Sequence, residues 1–155
     1  MCDILDRDIK ELLPHREPFI FVDEILSISE DEITTLKTFK GEEEFFRGHF
    51  PGNPIVPGVL LVEVMAQTAG LLVSNALKGG DLTENVGTLF YLSRVIDVKF
   101  KVPVVPGDVV KTNVIIIGVF GDAVKVSATA EVSGRIVALG ELVLSRVDIK
   151  KGGLI

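Results

Sequence analysis

Residues 47–70 read RGHFPGNPIVPGVLLVEVMAQTAG, and this stretch carries the strongest structural signal of the chain. Its first half contains Pro51, Pro54 and Pro57, each of which fixes its own φ angle and supplies no N–H group. The residue before each proline is also restricted to extended conformations. The first half of the stretch therefore predicts a stiff extended connector from Pro51 to Pro57.

The second half of the stretch predicts a long helix. Helical spacing begins at Gly58 and continues to about Leu77, and Gly79-Gly80 is the expected stop. Positions 59–66 and 69–73 are apolar almost all round, which is typical of a helix enclosed by other structure.

Polar residues interrupt this helix at regular intervals. Glu63, Gln67, Gly70 and Ser74 recur at spacings of four, three and four residues, which predicts one stripe along the helix. Because Glu63 and Gln67 break the apolar run, too few uninterrupted apolar residues remain for a membrane span.

His49 and Glu63 are the parts of a general acid/base pair. Histidine changes its charge near neutral pH, and His49 is held at the start of the proline-rich connector. Glu63 lies between Val62 and Val64, where a carboxylate is costly unless it is paired or used in chemistry. The alternative is that Glu63 is a first-turn charge stabilised by the helix dipole.

After the long helix the pattern changes from helical spacing to alternation. From Val124 to Val132 apolar residues alternate with polar ones, as in a half-buried strand. The predicted elements are a helix near 6–13, extended segments at 19–28 and 32–40, the long helix, and strands at 88–102, 109–119, 123–132 and from the Ser133-Gly134-Arg135 turn to about Val147. Val105-Pro106-Gly107-Asp108 predicts a turn. We expect an antiparallel meander wrapped around one buried helix, an α+β fold.

Composition is that of one globular domain over residues 1–155, with 47% hydrophobic and 25% charged residues. We see no signal-peptide pattern, and Cys2 is the only cysteine, which fits a reducing cytoplasm. A net charge of −6 argues against nucleic acid as a partner. Two histidines that are distant in sequence and no cysteine cluster match no common metal-ligand spacing, so we expect no metal.

Several separate groups of residues resemble one known family in the right order. The central group is Gly48-His49-Phe50-Pro51, Pro54, Pro57-Gly58-Val59-Leu60, Glu63 and Ala66-Gln67. An N-terminal group is Leu13-Pro14-His15-Arg16, Pro18-Phe19 and Val22-Asp23, and a C-terminal group is Ile96-Asp97, Lys99-Phe100, Pro103-Val104 and Val105-Pro106-Gly107-Asp108. The resemblance is to the (3R)-hydroxyacyl-[acyl-carrier-protein] dehydratases of type II fatty-acid synthesis, Z type, over about residues 5–148.

This resemblance implies a hotdog fold in which a five- or six-stranded antiparallel sheet wraps a central helix. Its sheet edges are covered by pairing two subunits, so it implies a homodimer, further assembled as a trimer of dimers. The implied reaction is dehydration of a 3-hydroxyacyl chain carried by acyl carrier protein, without a cofactor. It also implies that His49 and Glu63 of one active site come from different subunits.

The resemblance assigns roles to individual residues. His49 is the base that removes the C2 proton, and Glu63 is the acid that helps the C3 hydroxyl leave as water. The backbone N–H of Gly58 is the candidate to bind the thioester oxygen, since the free N–H groups of a helix start favour negative charge. Phe50 and Val59, next to these residues, are candidate substrate contacts.

Three further residues receive supporting roles. We expect Gln67 to orient Glu63 or to span the dimer interface, and Tyr91 to gate the acyl tunnel. His15 is expected to be structural, a hydrogen-bonded histidine where the first helix ends.

The sequence departs from the family pattern at two places, and three alternative functions remain open. Glu17 stands where the family usually has an aromatic residue, and the segment 91–95 is about one residue longer than usual. The alternatives are a hotdog thioesterase, a noncatalytic acyl-binding module, and an isomerising A-type dehydratase. A-type enzymes carry aspartate at the position of Glu63, which favours the Z type here.

Overall fold

Six antiparallel strands curl around one long helix in the computed structural model, which describes residues 4–77 and 88–148. The helices are a 3-10 turn at Ile4–Asp6, α1 at Ile9–Leu12, α2 at Phe45–Gly48 and α3 at Gly58–Leu77. The strands are β1 at Glu24–Ile28, β2 at Glu32–Thr38, β3 at Thr88–Phe100, β4 at Val109–Phe120, β5 at Ala123–Val132 and β6 at Arg135–Asp148. The predicted fold class, α+β with a long central helix and a five- to six-stranded antiparallel sheet, is confirmed, and the sheet has six strands.

The strand order is β1-β2-β4-β5-β6-β3, which corrects the expected meander. Strand β3 precedes β4 in the chain but pairs with β6, from Thr88 opposite Asp148 to Phe100 opposite Ala138. The chain therefore crosses the sheet between β3 and β4, and β3 lies at an edge. Alternation of residues predicts that β3 is a strand, but it carries no information on this distant partner.

Two irregularities bend β3 against β6. Between Ile96 and Lys99 the register shifts by one residue, and Asp97 has a φ of +50°. The bulge brings Val98 onto Gly140 of β6, where a Cβ would lie 2.7 Å from the Val98 Cα atom. Only glycine fits at this crossing.

The second irregularity lies in the segment that the sequence suggests is one residue longer than usual. Leu92 pairs with Leu144 and Arg94 with Val143, so Ser93 is the extra residue of a bulge. Its hydroxyl lies within hydrogen-bond distance of the Val143 carbonyl oxygen (3.1 Å) and the Ser145 hydroxyl (2.7 Å). The bulge absorbs the extra residue and lets the strand continue.

Helix α3 forms the centre of the core. Val64, Met65, Ala69, Leu71 and Leu72 are all fully buried beneath the sheet. The stretch from Gly58 to Ala76 has a mean hydropathy of 1.5, high enough for a membrane span by composition, but 56% of it is buried inside the protein. It is the core helix.

The start of α3 corrects the expectation of a fully enclosed helix. Val59 is 75% exposed, although the residues around it are apolar. The helix is buried only beyond its first turn, because the sheet covers its middle.

The structure differs in detail from the elements predicted for the first helix and for the connector. The helix expected at 6–13 is α1 with a short 3-10 turn before it, and it ends early because Pro14 disfavours a helical residue at Leu13. The connector is not extended throughout, since Phe50 and Asn53 bond to each other across a tight turn. Helix α2, a single turn, was not predicted, and the expected stop at Gly79-Gly80 lies outside the described residues.

Candidate active site

His49 caps the C-terminal end of α2, and its ring is fixed by the connector that follows. The Nδ1 atom lies 2.8 Å from the carbonyl oxygen of Ile55, while the Ile55 N–H donates to the carbonyl oxygen of His49 at 2.9 Å. A carbonyl oxygen only accepts, so Nδ1 must carry the hydrogen of that bond. In the neutral ring Nε2 is then unprotonated and able to accept a proton.

The loop around His49 is held from two sides. The Val56 N–H donates to the carbonyl oxygen of Val104 at 2.8 Å, and this bond joins the end of the connector to the chain beyond β3. Phe50 stacks on the imidazole with ring centroids 4.1 Å apart and is half exposed. The ring of His49 is thus positioned, and an apolar surface lies beside it.

Gly58 begins α3 directly after this loop. The first N–H groups of a helix have no partner within the helix, and they point out of its N-terminal end. The ring of Phe100 lies against Gly58, because a Cβ there would be only 3.1 to 3.3 Å from three ring atoms. A side chain at position 58 would push the end of β3 away, and we found no signal for this contact in the sequence.

Glu63 is held by the amide of Gln67 one turn further along α3. Gln67 Nε2 donates to Glu63 Oε1 at 3.0 Å, and the Gln67 side chain is buried, with an exposed fraction of 2%. The same amide donates to the carbonyl oxygen of Phe19 at 3.0 Å and accepts from the N–H of Phe21 at 2.8 Å. Gln67 therefore joins the N-terminal segment to α3 and orients the carboxyl group.

A cavity of about 440 Å³ opens beside Glu63. The polar stripe of α3 lines it as its spacing predicts, with Glu63, Gln67, Gly70 and Ser74 all at its surface. The opposite wall consists of the start of β3 and one residue of β6: Leu89, Phe90, Tyr91, Leu92 and Leu144. Its volume lies within the range of about 300–1,000 Å³ that is usual for small-molecule sites.

His15 also lines this cavity, which differs from its expected structural role. Its Nε2 atom lies 3.5 Å from Glu63 Oε1, and its Nδ1 atom is buried with no hydrogen-bond partner among the described residues. The histidine follows α1 as expected, but it contacts the carboxylate of the candidate acid. No local pattern around position 15 indicates this distant contact.

The cavity does not contain all the candidate residues. The lining of the cavity includes Glu63, Gln67 and Tyr91, but not His49, Phe50, Gly58 or Val59. At about 100° per residue, Glu63 lies about 140° around the helix from Gly58, on a different face. Among residues 4–77 and 88–148, no cluster of three or more potential metal ligands is present.

Comparisons with known proteins agree on one family. Residues 13–145 match the family of FabA-like domains. The chain is similar to the 3-hydroxyacyl-[acyl-carrier-protein] dehydratase FabZ of Streptococcus sanguinis, with 44% identity over 92% of this chain and 96% of the relative. It is 45% identical to the corresponding dehydratase of Streptococcus gordonii, over 86% of this chain and 91% of that protein.

Solved structures agree on the fold. The chain is similar to a chain of the dehydratase heterocomplex ApeI:P of Xenorhabdus doucetiae, with a TM-score of 0.78, 16% identity and 93% coverage of both chains. A hypothetical thioesterase with coenzyme A from Streptococcus pneumoniae has a TM-score of 0.59 at 12% identity, over 81% of this chain and 85% of that one. Both likenesses concern the hotdog fold alone.

Proposed function

This chain belongs to the FabA-like family as a 3-hydroxyacyl-[acyl-carrier-protein] dehydratase of the Z type, and from that premise we propose how its residues perform the reaction. It is a hydro-lyase of fatty-acid synthesis. Its substrate is a (3R)-hydroxyacyl chain on acyl carrier protein, and its product is the trans-2-enoyl chain and water.

His49 is the base that removes the C2 proton. The observation that carries this assignment is the 2.8 Å bond between Nδ1 and the carbonyl oxygen of Ile55. The bond leaves Nε2 of the neutral ring with its lone pair, and it stabilises the imidazolium that forms when Nε2 takes the proton. The bond also fixes the plane of the ring.

Glu63 is the acid. As the C2–H electrons form the C2=C3 double bond, the C3–O bond breaks, and the departing hydroxyl takes the proton of the Glu63 carboxyl group to leave as water. The enzyme is then left with a protonated His49 and an ionised Glu63. One proton must pass from the first to the second before the next turnover, and the released water is a suitable carrier.

Gly58 supplies the electrostatic part of the mechanism. Removal of the C2 proton places negative charge on the thioester oxygen, so a donor aimed at that oxygen lowers the barrier. The backbone N–H of Gly58 is a suitable donor at the open end of α3. Phe50 and Val59 are exposed beside it and would contact the arm that carries the substrate.

A dimer paired through β3 would unite these residues. Strand β3 is an edge strand of 13 residues, and its Tyr91, Val95 and Phe100 side chains are about half exposed. An edge strand of this length has unpaired backbone N–H and C=O groups, which can pair with a strand of a second subunit. Two copies related by a two-fold axis would pair β3 with β3 in antiparallel orientation.

The two ends of β3 lie near the two halves of the proposed site, so a dimer paired through β3 would complete it. At its C-terminal end Phe100 contacts Gly58, close to the His49 loop. At its N-terminal end Leu89, Tyr91 and Leu92 line the cavity of Glu63. Antiparallel pairing would bring the C-terminal end of one strand beside the N-terminal end of the other, and therefore the His49 of one subunit beside the Glu63 of the other.

The cavity along α3 is the proposed acyl site. Its polar lining includes Glu63 and Gln67, and its apolar lining includes Leu89, Phe90 and Leu144. Tyr91, which is 48% exposed, lies where it can control entry to this apolar space. Acyl carrier protein would remain outside and present the chain.

The wider setting follows the family expectation. We propose that the whole chain is one domain, that dimers assemble further as a trimer of dimers, and that the protein acts in the cytoplasm without a cofactor. Light scattering of the purified protein would test the assembly, since a dimer alone would contradict the trimer of dimers.

One assay tests the activity against its alternatives. The purified protein is incubated with 3-hydroxyacyl and trans-2-enoyl chains on acyl carrier protein, and water addition, double-bond isomerisation and thioester hydrolysis are followed together. We expect interconversion of the two chains without hydrolysis. Thioester hydrolysis alone would indicate a thioesterase, and a 3-enoyl product would indicate A-type isomerisation.

A further inference from the structure

Two nitrogen atoms converge on the same oxygen of Glu63. Gln67 Nε2 lies 3.0 Å from Oε1, and His15 Nε2 lies 3.5 Å from it. The other carboxyl oxygen, Oε2, accepts no hydrogen bond from the described residues. The two oxygens of one carboxyl group thus have different surroundings.

The orientation of the Gln67 amide is fixed by two backbone groups. The N–H of Phe21 can only donate, so it identifies Oε1 of Gln67 as its acceptor. The carbonyl oxygen of Phe19 can only accept, so it identifies Nε2 as its donor. Gln67 therefore always directs an N–H group towards Glu63 and cannot serve as an acceptor for a proton there.

The environment of His15 favours the tautomer with its hydrogen on Nε2. Its Nδ1 atom is buried without a partner among the described residues. A hydrogen on Nδ1 would be a buried N–H group with no acceptor, which is costly. The ring stacks on Phe19, and the Arg16 guanidinium donates to the His15 carbonyl oxygen at 2.7 Å, so both ring and backbone are held.

We propose that His15 is a positioning residue for Glu63: its Nε2–H faces Oε1 from 3.5 Å, beside the Gln67 amide that donates to the same oxygen, so that the transferable proton resides on Oε2. The proposal rests on the role of Glu63 as the acid. When the Oε2–H bond breaks and the proton joins the departing hydroxyl, negative charge spreads over both carboxyl oxygens. The N–H groups of His15 and Gln67 then stabilise the carboxylate.

Other titratable side chains line the cavity of Glu63 without a recorded contact to its carboxyl group. Lys10 and Glu11 from α1, Arg16 from the following loop and Tyr91 from β3 line the same cavity. Glu11 pairs with Arg7, and Arg16 donates to the carbonyl oxygens of Leu13 and His15. Among the basic residues that the structure describes, His15 alone brings a side-chain nitrogen close to Glu63, at 3.5 Å from Oε1.

Two variants separate positioning from packing. His15→Phe keeps an aromatic ring to stack on Phe19 but removes the donor, whereas His15→Gln keeps a neutral N–H at nearly the position of Nε2. We expect His15→Phe to lower kcat by about 10- to 100-fold with little change in KM, in line with the loss of a hydrogen bond to a charged group. We expect His15→Gln to retain kcat within a few-fold.

The comparison of the two variants gives a reading that separates packing from hydrogen bonding. A loss caused by packing would be larger in His15→Gln, which does not keep the aromatic ring, whereas loss of the donor lowers kcat only in His15→Phe. A wild-type kcat in His15→Phe, beside an inactive Glu63→Gln variant, would overturn the role of His15 and leave the proposed function intact. A fully active Glu63→Gln variant would overturn the proposed function itself.

Nitrogen NMR of the wild-type protein provides a test that needs no variant to fold. With ¹⁵N-labelled histidine, the His15 ring should carry its hydrogen on Nε2 and none on Nδ1. A hydrogen on Nδ1 would overturn the proposal.

Discussion

The Nδ1 atom of His49 and the carbonyl oxygen of Ile55, 2.8 Å apart, decide which nitrogen of the ring can act as a base. Because the carbonyl oxygen only accepts, the neutral ring carries its hydrogen on Nδ1. Ile55 follows Pro54 in the connector, so the proline-rich loop sets the tautomer as well as the position of the ring.

His49→Ala should lower the dehydration rate by about 10²- to 10⁴-fold, the usual contribution of a general base. Thermal melting should change little, since the ring is only half buried. The rate is measured with 3-hydroxyacyl-acyl carrier protein, and melting curves of both proteins provide the control. Equal turnover at matched stability would remove His49 from the mechanism.

Glu63 should be sensitive to both length and charge. Glu63→Asp withdraws the carboxyl group by one methylene from the cavity, and a misplaced catalytic group can cost roughly 10²-fold in rate. Glu63→Gln keeps the shape but has no carboxyl proton to give, so it should lose more activity while KM stays similar. Near-normal turnover of Glu63→Gln would leave a structural role only.

Gly70 should limit the acyl chain that fits. It lies in the polar stripe of α3 at the cavity, and a Cβ there would have Leu144 Cδ2 as its nearest neighbour at 4.0 Å. Gly70→Ala should therefore fit and stabilise the helix by up to about 1 kcal/mol. Gly70→Leu should lower kcat/KM for long chains by roughly 10-fold and for short chains much less. An equal loss for both chain lengths would show that the cavity does not hold the chain.

Glu43 should support the loop before His49 in a pH-dependent way. Burial raises the pKa of its carboxyl group, but hydrogen bonds from backbone N–H groups, including those of Lys40 and Gly41, outweigh burial and lower the pKa below 4.5. The stabilisation is thus present above pH 4.5 and is lost as the pH falls through the lower folded-state pKa.

Glu43→Gln should consequently reduce the free energy of unfolding at neutral pH, by no more than about 1 kcal/mol because the carboxylate is partly solvated. Urea unfolding from neutral to acidic pH measures this difference. The two proteins should converge in acid, and a difference that stays constant with pH would contradict the role of the charge.

The sequence predicts those features that depend on local pattern. The bounds of α3 follow from Gly58 and from an apolar run of helical length, and strand β5 follows from strict alternation. The edge position of β3, the need for glycine at position 140 and the contact between His15 and Glu63 each depend on a partner far away in the chain. Helix α2 was missed because a single turn has no periodicity to detect.

Mixing two inactive variants tests most directly whether His49 of one subunit acts with Glu63 of the other. If His49→Ala and Glu63→Gln chains exchange freely, each hybrid dimer has one site with both wild-type residues and one site with neither. An equal mixture should then recover about one quarter of the wild-type activity, since about half of the dimers are hybrids with one working site. No recovered activity, with exchange demonstrated by mass spectrometry of differently tagged chains, would contradict a site shared between subunits.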